Sequence, residues 1–341
     1  MPGITAMGTT YNLPNYTGEL FAISPEDTPF LAAIGGLTGG KSVDSTKFSW
    51  QTYDLRDADA NRQRLEGADA PTPEGRVRSN AYNVLEIHQE QVSVSYTKQA
   101  ATKLVGTGGA TNLTLGANPV TDEFQWQVDQ ELKQVARDVD KSFIVGTFQE
   151  PSDNSTPRKT RGLLQAITTN VLAGDLPQLG SDYDLKAFEQ LVLDLMQKVW
   201  DNGGISESET RTIITNSYLK RCLTAAFITN KGYQEESRNV GGVNLQTFET
   251  DFGKCNIMLE RYMPSTASPA TSGQSASLAV VSLEQCAPAF LEIPEKGHFF
   301  VEPLAKTGAS IKGQLYGEIG LEYGNELAHG KLTLTADGAN S

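Results

Sequence analysis

The sequence predicts an α+β fold, and three observations carry that prediction. Apolar residues recur at helical spacing over two long segments, near 121–148 and 182–200. They alternate with period two between about 41 and 96 and again toward the carboxyl end. Between about 180 and 290, strand, turn and helix follow one another. The 341 residues are enough for two lobes at roughly 150 residues per domain, and a composition 38% hydrophobic and 20% charged is that of a globular chain.

Residues 1–40 read as an extended arm, because Pro2, Pro14, Pro25 and Pro29 with Gly3, Gly8 and Gly18 stop any helix from becoming long. Such a segment has no core of its own, so Tyr16, Phe21 and Phe30 need cover from elsewhere, another subunit being one source. Residues 41–98 read as a ribbon. Phe48, Trp50 and Thr52 alternate with Ser49, Gln51 and Tyr53, a return strand starts near Arg76, and a phase slip near His88 predicts a bulge. The tip, 54–75, is crowded with Asp57, Asp59, Arg62, Arg64, Glu66, Asp69 and Glu74. One two-stranded ribbon cannot cover its own faces, so it should lie across a neighbour.

The longest helix is predicted over Thr121–Phe148, a rod of roughly 42 Å at 1.5 Å per residue, with the stripe Phe124, Val128, Leu132, Val135, Val139 and Phe143. A second helix carries Leu185, Phe188, Val192, Leu195 and Val199, entered at Ser181 and closed at Asn202-Gly203-Gly204. Thr212-Ile213-Ile214 reads as a buried strand, Asn216 as the cap of a helix through Phe227, and Thr250-Asp251-Phe252-Gly253 as a hairpin turn. Leu278–Leu283 reads as a continuous apolar strand, and Phe290–Leu334 as short strands.

Charge and cysteine content remove several function classes. With 28 Lys plus Arg against 41 Asp plus Glu the formal net charge is −13, and such a surface repels phosphate backbones unless it carries a basic stripe. Only Arg158-Lys159-Thr160-Arg161 qualifies; it reads as a solvated loop, with contact to DNA or an acidic neighbour as the alternative. Cys222, Cys255 and Cys286 form no CxxC pair and read as reduced, packed thiols of a cytoplasm. No apolar run reaches the roughly 18 residues of a membrane helix, and Met1-Pro2-Gly3-Ile4-Thr5 lacks the basic start of a secretory signal. No membrane partner is expected, and a secreted β-rich adhesin is disfavoured.

Four motifs invite chemistry. Gly35-Gly36-Leu37-Thr38-Gly39-Gly40-Lys41-Ser42 matches the phosphate-binding pattern of a P-loop nucleotide hydrolase. That mechanism needs a strand before the loop and a helix after it, and here a strand pattern follows, so the segment reads as a Gly-rich hinge between arm and ribbon. Asp251-Phe252-Gly253 spells a kinase tripeptide, but no His-Arg-Asp accompanies it. Glu86, His88 and Glu90 share one strand face without a second ligand cluster. Carboxylate pairs such as Asp138 with Asp140 read as solvated faces in a chain this acidic. No catalytic, cofactor-binding or metal-binding residue is expected, and hence no enzyme.

An arm, a long charged ribbon, one very long helix, an α/β lobe and returning strands, in that order, resemble the major capsid protein of tailed bacteriophages, the Hong Kong 97 fold, over essentially the whole chain. Gly18-Glu19-Leu20-Phe21 with Asp27-Thr28-Pro29-Phe30-Leu31, Ser49-Trp50-Gln51-Thr52-Tyr53, and Arg137-Asp138-Val139-Asp140-Lys141-Ser142-Phe143 leading to Arg161-Gly162-Leu163-Leu164 are similar to one subgroup of that family. The resemblance implies an N-terminal arm at 1–40, an extended β-hairpin loop at 41–98, a peripheral domain with spine helix at 99–170, an axial domain at 171–289, and returning strands of the peripheral domain at 290–341. It implies a structural subunit that assembles into hexamers and pentamers of an icosahedral head enclosing double-stranded DNA, put together in the bacterial cytoplasm, with scaffold, portal and cement proteins as further partners. Because the arm begins close to Met1, a separate scaffold or none is expected. The expected intersubunit contacts are Tyr16, Phe21 and Phe30 in the arm, Phe48 and Trp50 in the ribbon, and Arg56, Arg62, Arg64 and Glu66 pairing across subunits at its tip. Some members link a ribbon lysine to an asparagine of another subunit; no lysine lies between Phe48 and Thr97, so no such link is expected at this tip. An encapsulin compartment shell is the alternative within the same fold.

Overall fold

A computed structural model describes residues 27–53, 55–56, 58–103, 122–202, 211–229, 236–240, 243–250, 252–265 and 275–336. The chain enters through a short helix, α1 (Pro29–Ile34), followed by β1 (Lys41–Val43) and the ribbon strands β2 (Lys47–Tyr53) and β3 (Arg78–Val84). β4 (Glu86–Ser95), α2 (Tyr96–Lys103) and the spine helix α3 (Glu123–Val145) follow, then α4 (Leu163–Ala166), β5 (Val171–Asp175), α5 (Asp182–Asp201) and β6 (Arg211–Thr215). α6 (Ser217–Leu223) runs into a π-helical turn at Thr224–Thr229. The remainder is β7 (Glu236–Val240), β8 (Val243–Thr250), β9 (Gly253–Leu259), β10 (Ser275–Val281), β11 (Ala287–Leu291), β12 (Phe299–Pro303), β13 (Ser310–Glu322) and β14 (Gly330–Thr335).

A seven-stranded sheet in the order β5-β14-β10-β6-β9-β8-β7 forms one lobe. Its central strands are buried on both faces, which is why they read as unbroken apolar runs. Ile213, Ile257, Leu278 and Val280 point toward α5 and α6, where Leu185, Phe188, Val192, Leu195 and Met196 supply the other half of a core, and Val199 farther along α5 is buried as well. The neighbouring residues Ile214, Met258, Ala279 and Val281 point the opposite way, toward Val135, Val139 and Phe143 of α3. α5 begins as its sequence predicts, with the Ser181 hydroxyl accepting from Asp184 N–H. Asn216 caps α6 by accepting from Leu219 N–H.

A five-stranded sheet makes the second layer, ordered β1-β11-β13-β12 with β4 also paired to β13. The spine is shorter than predicted, 23 residues or about 35 Å. It starts where the Asp122 side chain accepts from the backbone N–H groups of Phe124 and Gln125, and stops at Gly146. Its stripe is buried at Val128, Val135, Val139 and Phe143, but Leu132 remains 38% exposed. The phase slip in the return strand falls at Leu85 rather than His88: Leu85 N–H donates to Thr46 O, and there the chain leaves β2 to join β13. β14, placed by the resemblance with the returning strands of the peripheral domain, lies between β5 and β10 in the seven-stranded sheet. The glycines at Gly203 and Gly204, predicted to close α5, lie outside the described residues.

Candidate assembly interface

The ribbon is a two-stranded sheet, and its two ends are built differently. At the root, Phe48 is buried with Leu85 and Ala289. Gly320 makes that possible, since a Cβ there would lie 2.8 Å from the Phe48 ring and 2.9 Å from Val84 O. Trp50 sits edge-on to Tyr323 with ring centroids 4.9 Å apart, and its indole N–H donates to Gly324 O at 2.6 Å. Asn83, with no exposed surface, saturates its side chain. Its Nδ2 donates to Arg161 O and Leu321 O, at 3.1 and 2.8 Å, while Oδ1 accepts from Arg161 N–H and Val84 N–H, at 2.8 and 2.9 Å. One amide therefore ties the ribbon root to the loop after α3 and to β13. Around it, Lys47 Nζ lies 4.0 Å from the Tyr82 ring centroid, Tyr82 meets Phe148 edge-on, and the Arg161 guanidinium covers Phe148 at 4.4 Å.

From Tyr53 opposite Arg78, the last pair of the ribbon ladder, the character reverses. Tyr53 is 72% exposed, Leu55 69%, Leu65 86% and Val77 82%. Charges at the tip pair locally: Arg62 Nη2 with Glu74 Oε1 at 2.6 Å, Arg76 Nη2 with Glu74 Oε2 at 3.2 Å, and Arg62 Nε with Asp59 Oδ2 at 3.8 Å. The hydrogen bond and charge of Arg62 hold the Glu74 carboxyl below its usual range. Arg64 and Glu66 are exposed.

These positions sort the predicted contact residues. Arg64 and Glu66 are exposed at the tip, whereas Arg62 is already engaged with Glu74 and Asp59. Arg56 is exposed at the ribbon's outer half. Phe48 and Trp50 do bury the ribbon, but against their own subunit at its root. Phe30 departs most from expectation. It has no exposed surface and packs in its own subunit's core with Val135, Val139 and Phe143, so it cannot anchor the arm on a neighbour. The arm boundary at residue 40 thus encloses a helix, α1, that belongs to the body. Tyr16 and Phe21 lie outside the described residues.

The sequence motifs resolve as local structure. Gly35–Ser42 runs from α1 into strand β1, without a following helix, and its Lys41 pairs with Glu322 at 2.6 Å. Gly40 adopts φ +127, and a Cβ there would stand 2.3 Å from Pro288 O, so the glycine serves close passage beside β11. Gly253 begins β9 in the turn of the β8–β9 hairpin. His88 contacts Glu86 at 2.9 Å, and among the described residues no group of three or more His, Cys, Asp or Glu side chains is placed to hold a metal ion. The basic cluster is not a solvated loop: Thr160 is fully buried, Arg158 pairs with Glu318 at 2.8 Å, and Arg161 donates to Tyr323 Oη at 3.0 Å. All three cysteines are buried and unbridged, and burial pushes their thiols up, to about 11 for Cys222 and Cys255 and about 12 for Cys286. No helix among the described residues is long and apolar enough to cross a membrane.

An exposed ribbon on a two-sheet body with a spine helix is the geometry on which the chain meets known proteins. The SU10 major capsid protein model matches residues 3–336. The chain belongs to the SU10 major capsid protein family. A major capsid protein of Escherichia phage Phieco32 is 30% identical over 132 residues, 39% of this chain and 32% of that protein, so the match spans about a third of the curated relative's length. Three solved structures share the fold. The capsid of cyanophage A-1(L) superposes with a TM-score of 0.63 at 10% identity, covering 95% of this chain and 97% of that one. The capsid of a native GTA particle gives 0.57 at 13%, covering 96% of each. The SrpI encapsulin of Synechococcus elongatus PCC 7942 gives 0.55 at 12%, covering 97% and 94%. The predicted Hong Kong 97-like α+β fold is borne out. Membership places the chain among structural proteins of phage capsids.

Proposed function

We propose that the chain is the subunit of a tailed-phage icosahedral head, assembling with copies of itself into hexamers and pentamers in the host cytoplasm and enclosing double-stranded DNA without reading its sequence. The observation that carries this reading is the ribbon: four large apolar side chains, Tyr53, Leu55, Leu65 and Val77, stand exposed on an element that, among the described residues, has no second layer beyond its root. A neighbouring copy supplies that layer. Arg64 and Glu66 then set the register by pairing across the boundary, and Arg56 and Arg62 add to the same field. The net charge of −13 suits a shell that must not adhere to its contents. Scaffold, portal and cement proteins are the further partners this reading calls for. The encapsulin alternative shares the fold, but the matching family is one of phage capsid proteins.

Negative-stain electron microscopy with sedimentation velocity on purified protein, with and without a candidate scaffold, tests the proposal. Shells or capsomer rings are the expected result. A monomer under every assembly condition overturns it.

A further inference from the structure

Where α1 enters the body lie two buried acids that shell assembly does not call upon. Asp140, on the core side of α3, is 0% exposed, and Glu260, just after β9, is 2% exposed. Three of their four oxygens receive backbone N–H groups. Asp140 Oδ1 accepts from Leu31 at 2.8 Å, Glu260 Oε2 from Phe30 at 3.4 Å, and Glu260 Oε1 from Tyr262 at 3.1 Å. Phe30 and Leu31 carry orphan donors of the first turn of α1. Thr28, at the cap position, gives that turn no side-chain hydrogen bond. The helix is therefore capped from outside, by acids of two other elements.

The fourth oxygen, Asp140 Oδ2, is buried and receives no N–H or O–H group, while the two carboxyls are within hydrogen-bond reach of each other. Ionised carboxylates only accept, so that contact requires one proton between them. Among the described residues no cation replaces it. Arg261 Nε is bonded to both oxygens of Asp27, at 3.0 and 3.2 Å. Arg137 donates to Tyr262 Oη at 3.2 Å and to Gln134 Oε1 at 3.3 Å. α1 itself, Pro29-Phe30-Leu31-Ala32-Ala33-Ile34, carries no titratable side chain, and the Cys286 thiol in the same core stays neutral.

We propose that Asp140 and Glu260 form a proton-held latch that seats α1 between the spine helix and the seven-stranded sheet, and that loss of the shared proton to a solvent base undocks α1 while both sheets stay folded. The latch operates within one subunit and is independent of the shell reading. Burial first, and then the charge of Glu260, raises Asp140 from 3.8 to about 8; burial raises Glu260 as well. The docked state thus holds a proton that the undocked state releases. Its advantage is complete in acid and disappears as pH climbs through about 8.

Hydrogen–deuterium exchange on the unassembled full chain, corrected for the intrinsic pH dependence of exchange, reads the latch directly in peptides spanning 29–36, with 275–281 as the control. Between about pH 6 and about pH 9.5, protection of 29–36 should fall by about tenfold or more while 275–281 stays protected. In Asp140→Asn an amide N–H takes the place of the shared proton and an oxygen remains for Leu31, so protection should stay high at both pH values. Unchanged protection in the wild type, an equal fall in the variant, or loss at 275–281 in parallel with 29–36 each overturns the latch. Should Asp140→Asn not fold, Glu260→Gln is read by the same criteria.

Discussion

At its root the ribbon buries Phe48 to 7% exposure and spends three of the four side-chain hydrogen bonds of Asn83 on the body, whereas at its tip Leu65 is 86% exposed and Arg62 and Arg76 pair with Asp59 and Glu74 of the same tip. One hairpin thus changes from a core element to an uncovered one within a few residues of Tyr53. The root answers to the stability of one subunit. The tip answers to whatever a second subunit brings.

That contrast can be broken by mutation. Asn83→Ala leaves the Arg161 amide and two carbonyls without partners in a buried site and should cost about 3 kcal/mol in urea unfolding of the unassembled subunit; a loss below about 0.5 kcal/mol would deny the root its structural role. Trp50→Phe keeps an aromatic ring but removes the donor to Gly324, for a smaller loss of about 1 kcal/mol in the same assay. At the tip, Arg64→Glu should change subunit stability by less than about 0.5 kcal/mol yet block shell formation more than Arg64→Ala, because reversing a charge adds repulsion to a lost pair. Wild-type assembly of both variants takes Arg64 out of the interface. The smallest expected effect is none: assembled shells boiled in denaturant should run as monomer bands, since the ribbon offers no lysine between Phe48 and Thr97 for a covalent link. A ladder of multimers would contradict that.

Much of this architecture could be read before any coordinates. α5 was legible because all five stripe residues are buried and Ser181 is a true cap. The alternation of β2 was legible because only one of its faces is covered. The arm was read too long for a physical reason. Proline and glycine spacing shows that a segment cannot form a long helix, but not which chain covers its apolar residues, and Phe30 and Leu31 are covered at home. The spine was over-extended since its stripe, which ends at Phe143, does not itself mark where a helix stops, and Gly146 closes this one before Phe148. Leu132 fits that stripe yet is partly exposed, for period identifies a face and not what stands opposite it. In the candidate interface, the exposed tip charges were placed from sequence. Asn83 and Arg161 were not, because their worth comes from partners far along the chain. Asp140 passed as one acid among 41, although its place next to Val139 and three residues before Phe143 sets it on the buried side of α3.

The placement of β14 bears on how the protein is made. Among the described residues it is the only strand paired with β5, in parallel, with Lys331 opposite Val171, and on its other edge it pairs with β10. A nascent chain whose synthesis has not passed Gly330 therefore holds β5 without a partner and β10 with one edge open, however long the ribosome has been at work. The seven-stranded sheet closes like a clasp only once Gly330–Thr335 has emerged, long after most of its other strands have been made.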